Sequence, residues 1–207
     1  MIIAVDGPTA SGKGTIAKAL AAHYGLPHLD TGLLYRAVGR QVALSGGNPD
    51  NAEDALAACA FPEALLDEAE LRSEASGGLA SRVSVHPAVR QALYERQRAF
   101  ATQAGGAVLD GRDIGTVIAP EAQAKLFVIA SVEARAERRY KEMLAQGRAA
   151  DLAAIAQDLA DRDERDRNRA QAPLRAAEGA ALLDTSALTR EEAIAAAIAL
   201  VEAARNA

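Results

Sequence analysis

The chain has 207 residues, half of them hydrophobic and 3% aromatic, with no Trp, one Cys and a net charge of −5. That length suits one domain at about 100–200 residues per domain, with a core of Ala, Leu, Val and Ile. The acidic balance argues against nucleic acid as a partner, Cys59 alone excludes an internal disulfide, and no apolar run approaches the ~20 residues of a membrane span. The opening MIIAVDG is strand-like rather than a signal peptide. The expectation is a cytoplasmic monomer with no membrane partner.

IIAV, residues 2–5, is a short apolar run that reads as a buried strand. Residues 14–24 carry Ile16, Ala17, Leu20, Ala21 and Tyr24 at helical spacing, and Gly25 and Pro27 stop that helix. LPHLDTG brings a second short strand and a turn. A helix from about Leu33 to Leu44 follows and ends at SGGNPDN. Residues 46–86 have weak periodicity and many acids, and read as a small insertion of low order or short elements. HPAVRQALYERQRAFATQAGG reads as a helix with Val89, Leu93, Arg96 and Phe100 on one face, closed by Gly105-Gly106. AVLDG is a strand, and AKLFVIAS, near-continuously apolar, reads as a central one. Helices over 133–146 and 151 to about 168 flank the turn QGRAAD. GAALLDTSALT supplies the last strand and turn, and REEAIAAAIALVEAARN the last helix. Strands alternating with helices predict an α/β fold, a parallel sheet with helices on both faces.

GPTASGKGT, residues 7–15, lies between the first strand and the first helix and matches G-x-x-x-x-G-K through Gly7, Gly12 and Lys13. Its backbone N–H groups and the helix N-terminus suit phosphate oxygens. Lys13 supplies a mobile positive charge for the β- and γ-phosphates. The cradle assigns Gly7, Pro8, Thr9, Ala10, Ser11, Gly12, Lys13, Gly14 and Thr15 to ATP. The Ser/Thr that usually follows the lysine is Gly14, and Thr15 comes one later. Mg²⁺ is therefore expected on the ATP phosphates, with Thr15 a possible ligand. Lys-Gly-Thr is the form seen in many nucleoside monophosphate kinases, which shifts the weight from GTPase-like switches to small kinases.

Four further stretches, LDTGLLYR (29–36), ASRVSVHPAVR (80–90), LDGRDIGTV (109–117) and RDERDRNRAQAPL (162–174), resemble the landmarks of the bacterial cytidylate kinases. They occur in that family's order and span nearly the whole chain. The resemblance implies a P-loop kinase with a five-stranded parallel core (about 1–45, 87–134 and 173–207). It also implies a monophosphate-binding insertion (about 46–86) and a helical lid (about 135–172). The implied reaction carries the γ-phosphoryl of ATP to CMP or dCMP. Thr31, Arg36 and Arg112 would lie near the acceptor phosphate. Ser81, Arg90 and Asp113 would contact cytosine, Arg162 and Asp166 the ribose, and Arg169 the phosphates. Lys13, Arg112, Arg162 and Arg169 are the implied catalytic cations. Between Arg36 and Ser81 the chain is shorter than the family pattern, as if the strand-rich part of the insertion were trimmed.

The residue chemistry agrees. Cytosine offers an amino donor at N4 beside acceptors at N3 and O2, which suits a carboxylate and an arginine. Phosphoryl transfer needs positioning and charge stabilisation more than covalent chemistry. DRDERDRNR, residues 161–169, fits that need, with Arg162, Arg165, Asp166 and Arg169 on one broad helical face. Arg135, Arg138 and Arg139 are further candidates for ATP phosphates. Only four of the 23 basic residues are Lys, a skew that a GC-rich genome would also produce. His23, His28 and His86 lie apart and read as packing or surface residues. A kinase for another small acceptor, UMP or shikimate, and a non-catalytic nucleotide-binding protein are the alternatives.

Overall fold

Residues 1–206 are described by the computed structural model, in which β1 (Ile2–Asp6) is buried along its whole length. The helix α1 (Lys13–Tyr24) follows the phosphate-binding loop, and β2 (His28–Asp30) runs directly into α2 (Thr31–Leu44). A helical stretch comes next, with α3 (Ala52–Ala57), three short 3-10 turns and α4 (Glu74–Val83). Then come α5 (Pro87–Ala101), β3 (Ala107–Gly111), a wide turn at Ile114–Ile118, and β4 (Ala124–Ile129). The hairpin α6 (Val132–Ala145) and α7 (Leu152–Asn168) precedes β5 (Ala181–Asp184) and α8 (Arg190–Arg205).

The five strands are all parallel in the order β2-β3-β1-β4-β5. The chain leaves β1 towards one edge and later returns to its other side, so β1 sits at the topological switch. Parallel α/β sheets open their ligand crevice at the carboxyl ends of strands beside such a point. Alternation along β1 explains the layers. Ile3 and Val5 pack with Leu20 of α1 and Val201 of α8, whereas Ile2 and Ala4 pack with Ala101 of α5 and Ile118.

As read from its apolar run, β4 lies inside the sheet, paired with β1 on one side and β5 on the other. Burial along it alternates, and Lys125, Phe127 and Ile129 are half-buried, whereas β1 and β3 are buried throughout. The face that α5 buries differs from the expected one. On α5 the buried face is Val89, Arg90, Leu93, Gln97 and Ala101, while Arg96 swings out to Glu63. Packing chose the row that meets the sheet, so Gln97 stands inside, its amide donating to Leu93 O at 3.0 Å. Residues 46–86 take the short-element alternative and carry no strand, in keeping with the shortened stretch between Arg36 and Ser81. Ala55, Phe61, Leu65, Leu71 and Val83 build their own core against Leu34 and Val38 of α2. The periodicity was weak because each element is too short to repeat it. Asn51 caps α3 and Ser73 caps α4 through backbone N–H groups.

Candidate active site

The phosphate-binding loop turns between β1 and α1 with Gly12 at φ 90°, a left-handed conformation that favours glycine. Ala10 adopts φ 60° without that freedom. The loop is braced from outside. Thr185 Oγ1 donates to Ser11 O at 2.9 Å, and Arg135 Nη1 donates to Thr9 O at 3.1 Å. With those carbonyls tied outward, α1 begins at Lys13 with its N-terminus at the cleft.

A cleft of about 240 Å3 opens here, at the carboxyl ends of β1, β2 and β3. Thr9, Ala10, Lys13 and Gly14 form its loop side. Every residue expected at the acceptor lines the same cleft: Thr31 and Arg36 from α2, Ser81 from α4, Arg90 from α5, Arg112 and Asp113 after β3, Arg162, Asp166 and Arg169 at the α7 end. Seven cations meet four carboxylates in its lining, in a chain whose net charge is −5. The excess suits a multiply anionic ligand.

Each side chain is held by a named contact. Thr31 Oγ1 donates to Asp110 O at 2.8 Å. Arg36 Nη1 donates to Leu71 O and Ser73 O at 2.7 and 2.8 Å, tying α2 to the 3-10 turns. Gly77 of α4 lets two guanidiniums close in: a Cβ there would lie 3.0 Å from Arg162 Nη1 and 3.1 Å from Arg36 Nη2. Arg90 pairs with Asp113 in the interior and lies over the Tyr35 ring. Arg112 Nε donates to Asp166 Oδ2 at 2.7 Å. Ser81 Oγ and Arg169 Nη2 of the cleft are buried without a protein partner, while Arg162 Nε is left to an ion pair with Asp158. Leaving such groups unmatched costs about 1–3 kcal/mol each, so a ligand is their natural complement.

Burial pushes Lys13 down to about 8, with Arg112 adding to the effect and Asp110 and Asp30 opposing it. Burial would raise the Asp166 carboxyl, but Arg112 and Arg169 hold it below its ordinary range. Arg36 and Arg169 are both lowered, first by burial. Packing the arginines together in a half-dry cleft therefore has a real cost.

Several expected roles change. On α7 the buried face is Arg162, Asp163 and Asp166, with Arg169 just beyond, and Arg165 points outward. Arg135 is locked to Asp163 at 2.5 and 3.0 Å and does not line the cleft. Arg138 donates to Thr185, and Arg139 pairs with Glu74 and faces the cleft. His28 is no mere packing residue, because its Nε2 meets Asp110 Oδ1 at 2.7 Å. His86 Nε2 bonds Pro49 O, and His23 packs edge-on against Tyr24.

Thr15 does not face this cleft. With Ser11 and Gly12 it borders a second hollow of about 220 Å3, closed by Arg138, Thr185, Leu188 and Arg190. The sequence reading missed this hollow, and it missed Asp6 and Asp30, which end β1 and β2, and Asp110, one residue before the end of β3. Their signal was present: each is an acid at or next to the end of a short strand. Among the described residues no helix is long and apolar enough to cross a membrane, and no group of three or more His, Cys, Asp or Glu is set to hold a metal.

A glycine loop on a helix N-terminus, at the switch point of a parallel sheet and facing an arginine-lined cleft, defines a P-loop kinase. The sequence model of the family described as cytidylate kinase matches residues 3–203. A cytidylate kinase of Xanthobacter autotrophicus is 57% identical over 99% of both chains. One of Azorhizobium caulinodans is 56% identical over 100% of both, and one of Rhodopseudomonas palustris 54% over 99% and 97%. The chain belongs to the cytidylate kinase family.

Proposed function

We propose that the protein transfers the γ-phosphoryl group of ATP to CMP or dCMP, yielding CDP or dCDP and ADP. The observation that carries this reading is the shared cleft: the phosphate-binding loop and every expected acceptor contact converge on one cavity with excess positive charge.

An oxygen of the acceptor phosphate attacks the γ-phosphorus in line as the bond to the β–γ bridging oxygen breaks. No proton needs to be removed from a phosphate dianion, so the chain's work is orientation and charge. Thr31, Arg36 and Arg112 orient the acceptor phosphate. Lys13, Arg162 and Arg169 face the migrating group and the charge that builds on the leaving oxygen. Asp113 accepts from the cytosine N4 amino group, while Arg90 and Ser81 serve the acceptor edge. Asp166 serves the ribose hydroxyls. The adenosine end of ATP takes the second hollow, between Arg138 and the Thr185–Arg190 turn.

Mg²⁺, when bound, would supply charge neutralisation at the ATP phosphates. The residues fit such a phosphate-borne ion, since Mg²⁺ commonly takes one or two carboxylates and keeps waters. Asp110, which lines the cleft with its Oδ2 3.6 Å from where a Cβ on Gly14 would stand, would be a candidate ligand.

Residues about 135–172 serve as the lid and about 46–86 as the monophosphate-binding part, the remainder being core. Glu74 of α4 pairs with Arg139 and Arg148 of the lid, which supports a junction between these two parts beside the cleft. Both hollows are complete within one chain, consistent with a monomer working on small molecules in the cytoplasm, without nucleic acid. A coupled ADP-release assay across CMP, dCMP, UMP, AMP and shikimate tests the reading. Turnover with CMP and dCMP well above the others is expected. Turnover confined to shikimate or UMP, or none at all, would overturn it.

A further inference from the structure

Asp6 is buried, at 3% exposure, and no arginine neutralises it. Instead its two oxygens accept consecutive backbone N–H groups, Oδ1 from Ile114 and Oδ2 from Gly115, each at 2.8 Å. Burial pushes the carboxyl up to about 7 against those two hydrogen bonds, with Asp113 adding to the rise and Lys13 opposing it. A buried carboxylate held only by backbone is costly, and such costs gather at functional sites.

The segment it grips is the one that carries recognition. Arg112 is fixed to Asp166 of α7, and Asp113 to Arg90 of α5. Those two partners ride on helices outside the sheet. Ile114 packs against Ile2, Ala4 and Leu109 of the sheet, and among the described residues Asp6 supplies the side-chain hydrogen bonds that tie the segment to it, where β1 pairs with β3 through Asp6 and Gly111. Asp6 also stands immediately before Gly7, so one residue joins the phosphate-binding loop to the turn that follows β3. Gly115 fits this closeness: a Cβ there would stand 3.5 Å from Asp6 Oδ2 and 3.1 Å from Ala177 Cβ.

We propose that Asp6 is a positioning residue for base selection: its carboxylate holds the Arg112–Gly115 segment in the register that presents Asp113 to the acceptor base. The inference rests on the proposed acceptor, since it assigns the base contact to Asp113. A carboxylate is required because it accepts at both oxygens. An Asn side chain offers one acceptor and one donor, so its amide would face an N–H. The released segment would then move Asp113 away from the base, while the loop that holds ATP keeps its own braces at Thr185 and Arg135.

The test is Asp6→Asn, with kcat/KM measured for CMP and UMP at saturating ATP, and KM measured for ATP. The CMP-to-UMP ratio should fall about tenfold, the low end for losing a hydrogen bond to a charged group, with KM for ATP within about twofold of the parent. Equal proportional losses for the two acceptors would reveal a merely structural residue and overturn the proposal. If Asp6→Asn does not fold, Asp6→Glu keeps the charge but pushes the segment outward, and the same fall is expected. Loss of folding in both variants would assign the carboxylate to stability and also overturn it. The proposed function fails separately, if the unaltered enzyme shows no preference for CMP.

Discussion

Asp113→Asn removes one charge from the inner wall of the cleft at almost constant volume. Asp113 is 4% exposed and pairs with Arg90, itself 9% exposed. Breaking a buried ion pair on one side costs about 3–5 kcal/mol, and the remaining amide oxygen recovers part of that. A loss of roughly 2–3 kcal/mol in unfolding free energy is expected. The base effect is separate. If the single amide oxygen serves Arg90, the NH2 group faces the cytosine amino group, donor against donor. An unmatched polar group costs about 1–3 kcal/mol, which is roughly 5- to 150-fold in kcat/KM at 1.36 kcal/mol per decade. Uracil presents an acceptor at that position and gains a partner. The CMP-to-UMP ratio should therefore fall by one to two orders of magnitude, with UMP turnover steady or raised. Urea unfolding gives the first quantity and the coupled ADP assay the second. A stability loss with an unchanged ratio would show that Asp113 only neutralises Arg90, and the base assignment would be wrong.

Lys13→Ala should lower kcat by about 100-fold or more with circular dichroism unchanged. In the unaltered enzyme kcat/KM for ATP should decline as pH rises through about 8, where the free Lys13 ammonium loses its proton; a flat profile would refute that role. Asp166→Ala should raise KM for CMP, and less for dCMP if the carboxylate meets the 2′-OH. Because Arg112 and Arg169 hold Asp166 low against burial, its contribution to stability is complete above the ordinary Asp range near pH 4. It is lost as pH falls through the lower folded value, so the melting difference between parent and Asp166→Asn should close only in acid. Ala10→Gly should relieve a left-handed conformation that costs about 1–2 kcal/mol, less the entropy that glycine loses, and raise Tm by a few degrees.

The strands and long helices were legible because each carries a period the core enforces. Thus β1 reads as buried from IIAV alone, and α8 from its capped alanine run, Thr189 and Glu192 forming a capping box. What failed was the choice among charged residues on one helix. From spacing, Arg165 and Asp163 of α7 are interchangeable, since both lie within a turn of Arg162. Only Arg135, arriving from α6, makes Asp163 the inward one. In the same way His28 and Asp110 are distant in sequence and meet because β2 pairs with β3 through His28 and Val108. Local patterns announce elements and motifs. Pairings across the sheet and between helices decide which polar residue enters the site.

That distinction bears on why this site uses arginine so heavily. Composition alone allows a trivial answer, since Lys is scarce throughout. The geometry gives another. Arg36 spends Nη1 on two carbonyls, and Arg112 spends Nε on Asp166. Arg169 spends Nε on Ala172 O, and Arg139 spends Nε on Glu74. In each case one edge of a planar fork is anchored by the protein while other N–H groups of the same rigid group remain for an anion. A lysine ammonium is a point charge on a flexible stem, and an anchor that fixes it also draws it away from the phosphate. The acids beside the arginines are thus the means of aiming them. Asp166 shows both halves of the device: it fixes Arg112 and stands 3.9 Å from Arg169 Nη1, so a single carboxylate aims one guanidinium and tempers the repulsion from the next. A cleft built from lysines at these positions would hold the same charge and lose its direction.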